Sequence, residues 1–124
     1  MQQKLTNHIN TKFPFLKDKK LLIAISGGVD SVVLTYLLSV LNFDISLAHC
    51  NFKLRGKESD LDEEFILKLG GKLNIKTFTT QFSTNKFAQK NKLSTQIAAR
   101  KLRYNWFESL VKKHQFDFVL TAHH

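Results

Sequence analysis

The sequence predicts an α/β fold: a doubly wound, mostly parallel sheet with helices on both faces. Three observations predict it. Leu21 to Ile25 are five apolar residues without alternation, the pattern of a strand covered on both faces. A polar turn with adjacent glycines follows, and from Val32 to Leu41 the chain continues as an apolar helical run. Further strand-like runs at 43–51, 75–81 and 116–122 are separated by helical patterns, as in a chain of βαβ units.

Taken in order, the chain begins with Leu5, Ile9 and Phe13 at i, i+4 and i+8, a one-sided stripe for a short amphipathic helix that Pro14 stops. Residues 1–20 therefore form a lead-in, and 21–124 the domain proper. The helix from Asp30 to about Asn42 is apolar on every side, which predicts that it is buried. Phe43 to Asn51 is a second strand whose carboxyl end is polar. A basic loop with Lys53, Arg55 and Lys57 leads into an acid-rich first helical turn, for which Ser59 is the expected cap and whose acids suit the helix dipole. Leu61, Phe65, Leu69 and Leu73 give that helix its core stripe, and Gly70-Gly71 is expected to fray or end it. Ile75 to Gln81 is a β-branched third strand near an edge, and 82–91 is a loop or a short helix.

The helix at 94–114 has the clearest period. Ala98, Ala99, Leu102, Trp106 and Leu110 share one arc, while Lys101, Asn105, Glu108 and Lys112 lie opposite. Arg100 and Arg103 break the pattern, because both leave from the largely apolar side. A cation there needs a partner, and removing one partner of a buried ion pair costs about 3–5 kcal/mol. Phosphate offers bidentate hydrogen bonds to arginine; an acid on a neighbouring helix or snorkelling to solvent would serve as well. The last strand runs from Phe116 to Ala122 and ends in His123-His124. A chain that stops at the carboxyl end of a core strand has the look of a fragment.

Bulk composition bounds the function. The chain has 124 residues, ordinary apolar content and a net charge of +9, from 19 Lys and Arg against 10 Asp and Glu. Such an excess favours a polyanionic partner, nucleic acid before membrane. Cys50 is the only cysteine, which excludes an intramolecular disulfide and a cysteine metal cluster and fits a reducing compartment. No apolar stretch is long enough for a signal region or a membrane span, so the expected location is the cytoplasm.

The chemistry gathers at Ser26-Gly27-Gly28-Val29-Asp30-Ser31. A strand, a tight turn and a helix N-terminus together make an anion site above the carboxyl edge of a sheet. Gly27 and Gly28 can take positive φ and let a ligand approach the backbone, and Ser26 and Ser31 add hydroxyl donors. A carboxylate in such company, Asp30, is best explained by Mg²⁺ held jointly with phosphate oxygens. Neither G-x-G-x-x-G nor G-x-x-x-x-G-K-[ST] fits: the glycines are adjacent, and no lysine follows. In a doubly wound sheet the end of the second strand lies beside this loop, which places His49 and Asn51 to touch a nucleotide held there.

Those six residues resemble the S-G-G-x-D-S loop of the N-type ATP pyrophosphatases in all positions. In that superfamily the loop holds the pyrophosphate of ATP while the α-phosphate is attacked. His49-Cys50-Asn51-Phe52-Lys53-Leu54-Arg55-Gly56 with Glu58-Ser59-Asp60, then Gln96 to Tyr104, then Thr121 to His124, are similar in order and spacing to the tRNA(Ile)-lysidine synthetase family. The resemblance implies an adenine-nucleotide-hydrolase-like domain that adenylates the wobble cytidine of a CAU-anticodon tRNA(Ile) and lets free L-lysine displace AMP. It further implies ATP and Mg²⁺ as cofactors. Ser26 to Ser31 would cradle pyrophosphate, Asp30 would assist the metal, Arg100 and Arg103 would contact phosphates or the activated base, and His123 and His124 would stand near the α-phosphate. Lys53 and Arg55 are expected to contact tRNA or substrate, and the chain could pair as a homodimer. Phe52 stands where many members carry histidine, and the acids and domains that follow the His-His pair in the family do not appear, so this chain is expected to bind ATP without modifying tRNA. Two other readings stay open: a tRNA thiolase, which usually needs more cysteines, and a non-catalytic adenine-nucleotide-binding module.

Overall fold

A computed structural model describes residues 18–26 and 28–121. The amphipathic helix expected around Leu5, Ile9 and Phe13, the residue Gly27 and the pair His123-His124 lie outside the described residues. The elements are β1 (Lys20–Ala24), α1 (Val29–Val40), β2 (Asp44–Asn51), α2 (Lys57–Leu73), β3 (Thr77–Gln81), α3 (Thr84–Lys90), α4 (Thr95–His114) and β4 (Phe118–Thr121). Segment 82–91, which the sequence left between loop and helix, thus contains a two-turn helix.

All strand pairs are parallel, in the order β3-β2-β1-β4. The chain steps outward from β1 to β3, then returns to place β4 on the other side of β1. The direction of winding therefore reverses between β1 and β4, and in such sheets ligands bind outside the carboxyl ends of the strands at that reversal. Leu21, Leu22 and Ile23 of β1 have no exposed surface, as their unbroken apolar run requires. Their side chains alternate between two cores. Leu21 and Ile23 pack with Leu38 of α1 and with Ile66 and Leu69 of α2, whereas Leu22 packs with Phe107 and Leu110 of α4. Helices thus cover both faces.

Helix α1 departs from the expectation of full burial. Ser31, Thr35 and Leu38 face the sheet, but Val29, Val33, Tyr36 and Val40 form an exposed stripe at i, i+4, i+7 and i+11, with Val29 78% and Val40 58% exposed. The physical reason is the layering: one sheet face lies beneath this helix, and no described element lies above it.

Three local expectations are also corrected. The stripe of α2 that meets the core is Ile66 and Leu69 with Leu73 partly buried, one position round from the expected one, which leaves Leu61 and Phe65 exposed. Ser59 does not cap α2. Gly56 occupies the cap position at φ +57 and ψ −125, backbone that favours glycine, and the Ser59 hydroxyl sits inside the first turn accepting the Arg55 N–H at 3.0 Å. Nor do Gly70 and Gly71 end the helix, which continues to Leu73 and closes on Asn74 in the left-handed conformation. Gly70 is needed where α2 crosses the start of β3: a Cβ there would lie 1.9 Å from Thr77 Oγ1, 3.1 Å from Thr77 Cβ and 3.2 Å from the Ile75 carbonyl oxygen. Gly71 faces open space. Among the described residues no helix is long and apolar enough to cross a membrane.

These two adjacent glycines should part company in a denaturation experiment. Gly70→Ala is expected to destabilise the fold by about 1–3 kcal/mol, the usual cost of overpacking. Gly71→Ala should be neutral or stabilising by up to about 1 kcal/mol, because alanine is the better helix former. Equal urea midpoints for the two variants would refute the close-approach account of Gly70.

Candidate nucleotide-binding site

The loop after β1 is knitted by its own serines. Ser26 N–H donates to Ser31 Oγ at 3.4 Å, Gly28 N–H donates to Ser26 Oγ at 3.4 Å, and the Ser31 hydroxyl donates to the Gly28 carbonyl at 3.0 Å. Ser31 is buried and spends its proton on the loop, so the exposed Ser26 is the serine with a hydroxyl proton left for a ligand. Gly28 occupies the N-cap of α1 at φ −72 and ψ 159, and no side chain caps the helix. Its φ is negative, against expectation; any residue adopts this conformation. A Cβ at Gly28 would meet nothing closer than Ser26 Oγ at 3.5 Å, an ordinary contact. The fold itself therefore does not demand glycine here, and what an added methyl group would obstruct is the approach of a ligand to the first turn of α1, which no side chain caps. Val29 and Asp30 stand exposed in that turn.

Beside this loop the end of β2 is fixed by a reciprocal pair of bonds. Ile25 N–H donates to the Ala48 carbonyl at 3.0 Å, and the Ile25 carbonyl lies 2.8 Å from His49 Nδ1. A carbonyl can only accept, so Nδ1 carries the proton, and in the neutral ring Nε2 is left as an acceptor. His49 is 5% exposed, placed by this bond rather than free to turn.

A cavity of about 350 Å³ opens over the two strand ends. Ser26, Ser31, His49, Asn51, Arg55 and Arg103 are among its lining residues. The structure thus brings together Ser26 and Ser31 of the loop, both residues expected from β2, one cation of the basic loop and one arginine of α4, whereas Gly28, Val29, Asp30 and Lys53 are not among the lining residues. Arg100 is separated from the rest: it is exposed, and it shares with Arg103 the ring of Tyr104, whose centroid lies 5.4 Å from the Arg100 and 5.2 Å from the Arg103 guanidinium carbon. Among the described residues neither guanidinium has an ion-pair partner.

Asn51 and the basic loop are heavily committed. The Asn51 amide donates to Asp60 at 2.9 Å and to Glu63 at 3.1 Å, while its oxygen accepts the Lys53 N–H at 3.0 Å. Lys53 Nζ pairs with Asp60 at 2.6 Å, and Arg55 pairs with Asp62 and, at 3.7 Å, with Glu58. The hydrogen bonds from Lys53 and then Asn51 hold the Asp60 carboxyl below its usual range. The acids of the first turn of α2, which the helix dipole alone would explain, thus also neutralise the loop before it. Sequence reasoning missed this network; the spacing from Lys53 to Asp60 and from Arg55 to Asp62, seven residues in both cases, was the available signal.

Cys50 also lines the cavity. Burial pushes its thiol up to about 12, against which the Arg103 charge acts only partly. At neutral pH it is a thiol, not a thiolate. Among the described residues no cluster of three or more His, Cys, Asp or Glu could hold a metal ion by itself. A single carboxylate at Asp30 suits Mg²⁺ only if phosphate oxygens complete the coordination, which is the usual arrangement for this ion.

An uncapped helix N-terminus, a serine-knit loop and a basic cavity wall at the winding reversal of a parallel sheet define a nucleotide-binding α/β domain. The PP-loop domain family matches residues 1–124, and the chain belongs to that family. It is 42% identical over 124 residues to the tRNA(Ile)-lysidine synthase of Bacteroides thetaiotaomicron, covering 100% of this chain and 29% of that protein. It is 40% identical over 129 residues to that of Porphyromonas gingivalis strain W83, covering 100% of this chain and 28% of that one. The chain therefore spans less than a third of the length of these relatives. In fold it is similar to an NMN synthetase from Francisella tularensis, with a TM-score of 0.71 at 21% identity over 95% of this chain and 51% of that one. It is also similar to an NH3-dependent NAD synthetase from Campylobacter jejuni, with a TM-score of 0.63 at 18% identity over 90% of this chain and 51% of that one.

Two measurements check the site. Gly28→Ala should leave the thermal midpoint unchanged and weaken ATP binding about tenfold or more in calorimetry, since the methyl group obstructs only the ligand; an unstable but ATP-competent variant would reverse that assignment. Cys50 should resist iodoacetamide at pH 8 in the folded protein and react on unfolding. Because the folded thiol holds its proton more tightly than the unfolded one, its contribution to stability should be present below pH 9 and fade between about 9 and 12. Rapid alkylation of the native protein would contradict the burial argument.

Proposed function

We propose that this chain is the ATP-binding catalytic domain of a tRNA(Ile)-lysidine synthase. In this reading the domain activates the wobble cytidine of a CAU-anticodon tRNA(Ile) with ATP, and free L-lysine then displaces AMP. The carrying observation is the cavity at the carboxyl ends of β1 and β2, where Ser31 of the first turn of α1 and the side chains of Ser26, His49 and Arg103 surround one space. The names of the relatives support tRNA(Ile) as the substrate, which the cavity alone would not select.

The β- and γ-phosphates lie along the loop from Ser26 to Ser31, contacting the first-turn N–H groups of α1 and the Ser26 hydroxyl. This includes Gly27, Gly28 and Val29 as backbone contacts. Asp30, with phosphate oxygens, would hold Mg²⁺, which supplies charge neutralisation to the departing pyrophosphate. The cytidine oxygen attacks the α-phosphorus and the bond to the bridging oxygen of pyrophosphate breaks. The amino group of lysine then attacks C2, and AMP leaves with the oxygen. Arg103 stabilises charge that accumulates on the α-phosphate, and Arg100 approaches from outside the cavity. His123 and His124 act at the same phosphate. His49 receives a hydrogen bond at Nε2 from the nucleotide. Asn51 serves by holding Asp60 and Lys53, while Arg55 reaches substrate by exchanging Asp62 for phosphate. A cytoplasmic setting follows from that substrate.

The buried, protonated Cys50 weighs against the thiolase alternative, whose sulfur carrier must be a reactive thiolate. The complete protein, given labelled ATP, lysine and the tRNA, should release AMP only when both co-substrates are present, and Asp30→Ala should lower that rate about a hundredfold or more. AMP release without lysine would point to another nucleophile. ATP binding with no AMP under any condition would leave a nucleotide-binding module.

A further inference from the structure

The net charge of the chain is unevenly placed. Residues 65–107 hold nine of the 19 Lys and Arg and none of the ten acids, so elsewhere cations and acids cancel. Among the described residues, Lys68 is the one of these nine cations in an ion pair, with Glu64 at 3.0 Å. Lys86 and Lys90 of α3, Lys92 in the turn after it, and Arg100 and Lys101 of α4 are all exposed. The basic loop at 53–57 has its own acids to pair with it, whereas the segment 65–107 carries none, and Glu108, just beyond it, is paired with Lys112.

Within the basic surface stands one exposed ring. Tyr104 is 52% exposed and is flanked by the guanidiniums of Arg100 and Arg103. Ile97, 50% exposed, precedes Tyr104 by seven residues and Arg100 by three, so all three share one stripe of α4. Tyr104 also lines a second cavity of about 580 Å³ between α4 and β4, along with Val119, Thr121 and the ion-paired Glu108 and Lys112. Arg103 and Phe107 line both this cavity and the nucleotide cavity, so the two adjoin.

We propose that Tyr104, between Arg100 and Arg103, is a stacking platform for an unpaired RNA base next to the one that enters the nucleotide cavity, and that the α3–α4 lysines track the phosphodiester backbone leading to it. Single-stranded RNA is recognised by bases laid on aromatic rings and guanidinium planes, with cations along the backbone. Each component is present here: exposed lysines on and just after α3, which packs against α4, the ring on α4, and the cavity beside that ring. The exposed cations supply affinity, and the ring fixes which nucleotide is splayed. This assignment rests on an RNA substrate, as proposed above, and adds the place where its neighbouring base is held.

The test uses the complete protein and a CAU anticodon stem-loop carrying 2-aminopurine at a position flanking the wobble base. Stacking on Tyr104 should quench its fluorescence on binding. Tyr104→Leu should abolish the quench and weaken stem-loop binding about tenfold, while Tyr104→Phe retains both. Lys86, Lys90 and Lys92 changed together to Gln should reduce the slope of log affinity against log salt by about 2, near 0.7 for each phosphate no longer neutralised. Lys68 and Lys72 changed to Gln on α2 should leave that slope alone. ATP affinity is the separate readout: it should be the same in every variant. An undiminished quench in Tyr104→Leu overturns the platform even if AMP release proceeds as proposed, as does a loss in Tyr104→Phe equal to that in Tyr104→Leu. A slope that falls equally in the α2 control overturns the backbone track. Binding of an acidic protein in preference to the stem-loop would assign the surface to a different partner. Absence of AMP release by the unsubstituted protein, with the quench intact, would instead sink the catalytic reading and leave the platform.

Discussion

The burial of β1 on both faces is the constraint on which the rest depends. Leu21 and Ile23 belong to one core and Leu22 to the other, and both flanking strands run parallel to β1. A strand held in this way can be neither shifted in register nor displaced without exposing one core. Its carboxyl end is therefore a fixed point. The Ile25 backbone extends that fixity one residue further by bonding Ala48 and His49, so the end of β1 and the ring of His49 keep a constant relation. Preorganisation of this sort is what lets backbone N–H groups act on an anion without first being reoriented.

The parallel sheet, its open loop and the period of α4 were legible in the sequence because each is written locally. Five unalternating apolar residues bounded by a glycine turn read as a doubly covered strand, and adjacent glycines between serines mark the turn that follows it. What was not legible depends on neighbours distant in sequence. The apolar circumference of α1 suggested burial, yet whether a second layer covers a helix is a property of the whole chain. Gly70 looked like a helix breaker, because its actual partner, Thr77, touches it only after α2 and β3 have packed. Ser59 matched the cap preference of its residue type, but Gly56, with a left-handed backbone, had already taken that place. Arg100 and Arg103 looked equivalent on a helical wheel, and only the position of the cavity separates them.

The two basic regions illustrate different uses of charge. Lys53 and Arg55 are countered across the first turn of α2, so a phosphate arriving there competes with Asp60 and Asp62 and gains selectivity of geometry more than raw attraction. The cations of α3 and the first half of α4 meet no such competition, and their field extends over roughly a Debye length, about 10 Å at moderate salt. The first arrangement would reward a correctly shaped ligand; the second, on the reading proposed above, would gather polyanions from solution with little selectivity of its own.

The exposed stripe of α1 has a thermodynamic character set by its residue types. Three of its four members are valines, whose branched side chains keep essentially one χ1 rotamer in a helix. Covering such a face removes apolar area from water while freezing almost no side-chain motion, in contrast to a stripe of leucine or methionine, which must be ordered first. Any contact made through α1 is consequently governed by dehydration alone: it should strengthen on warming from low temperature and carry a negative heat-capacity change out of proportion to its small conformational cost.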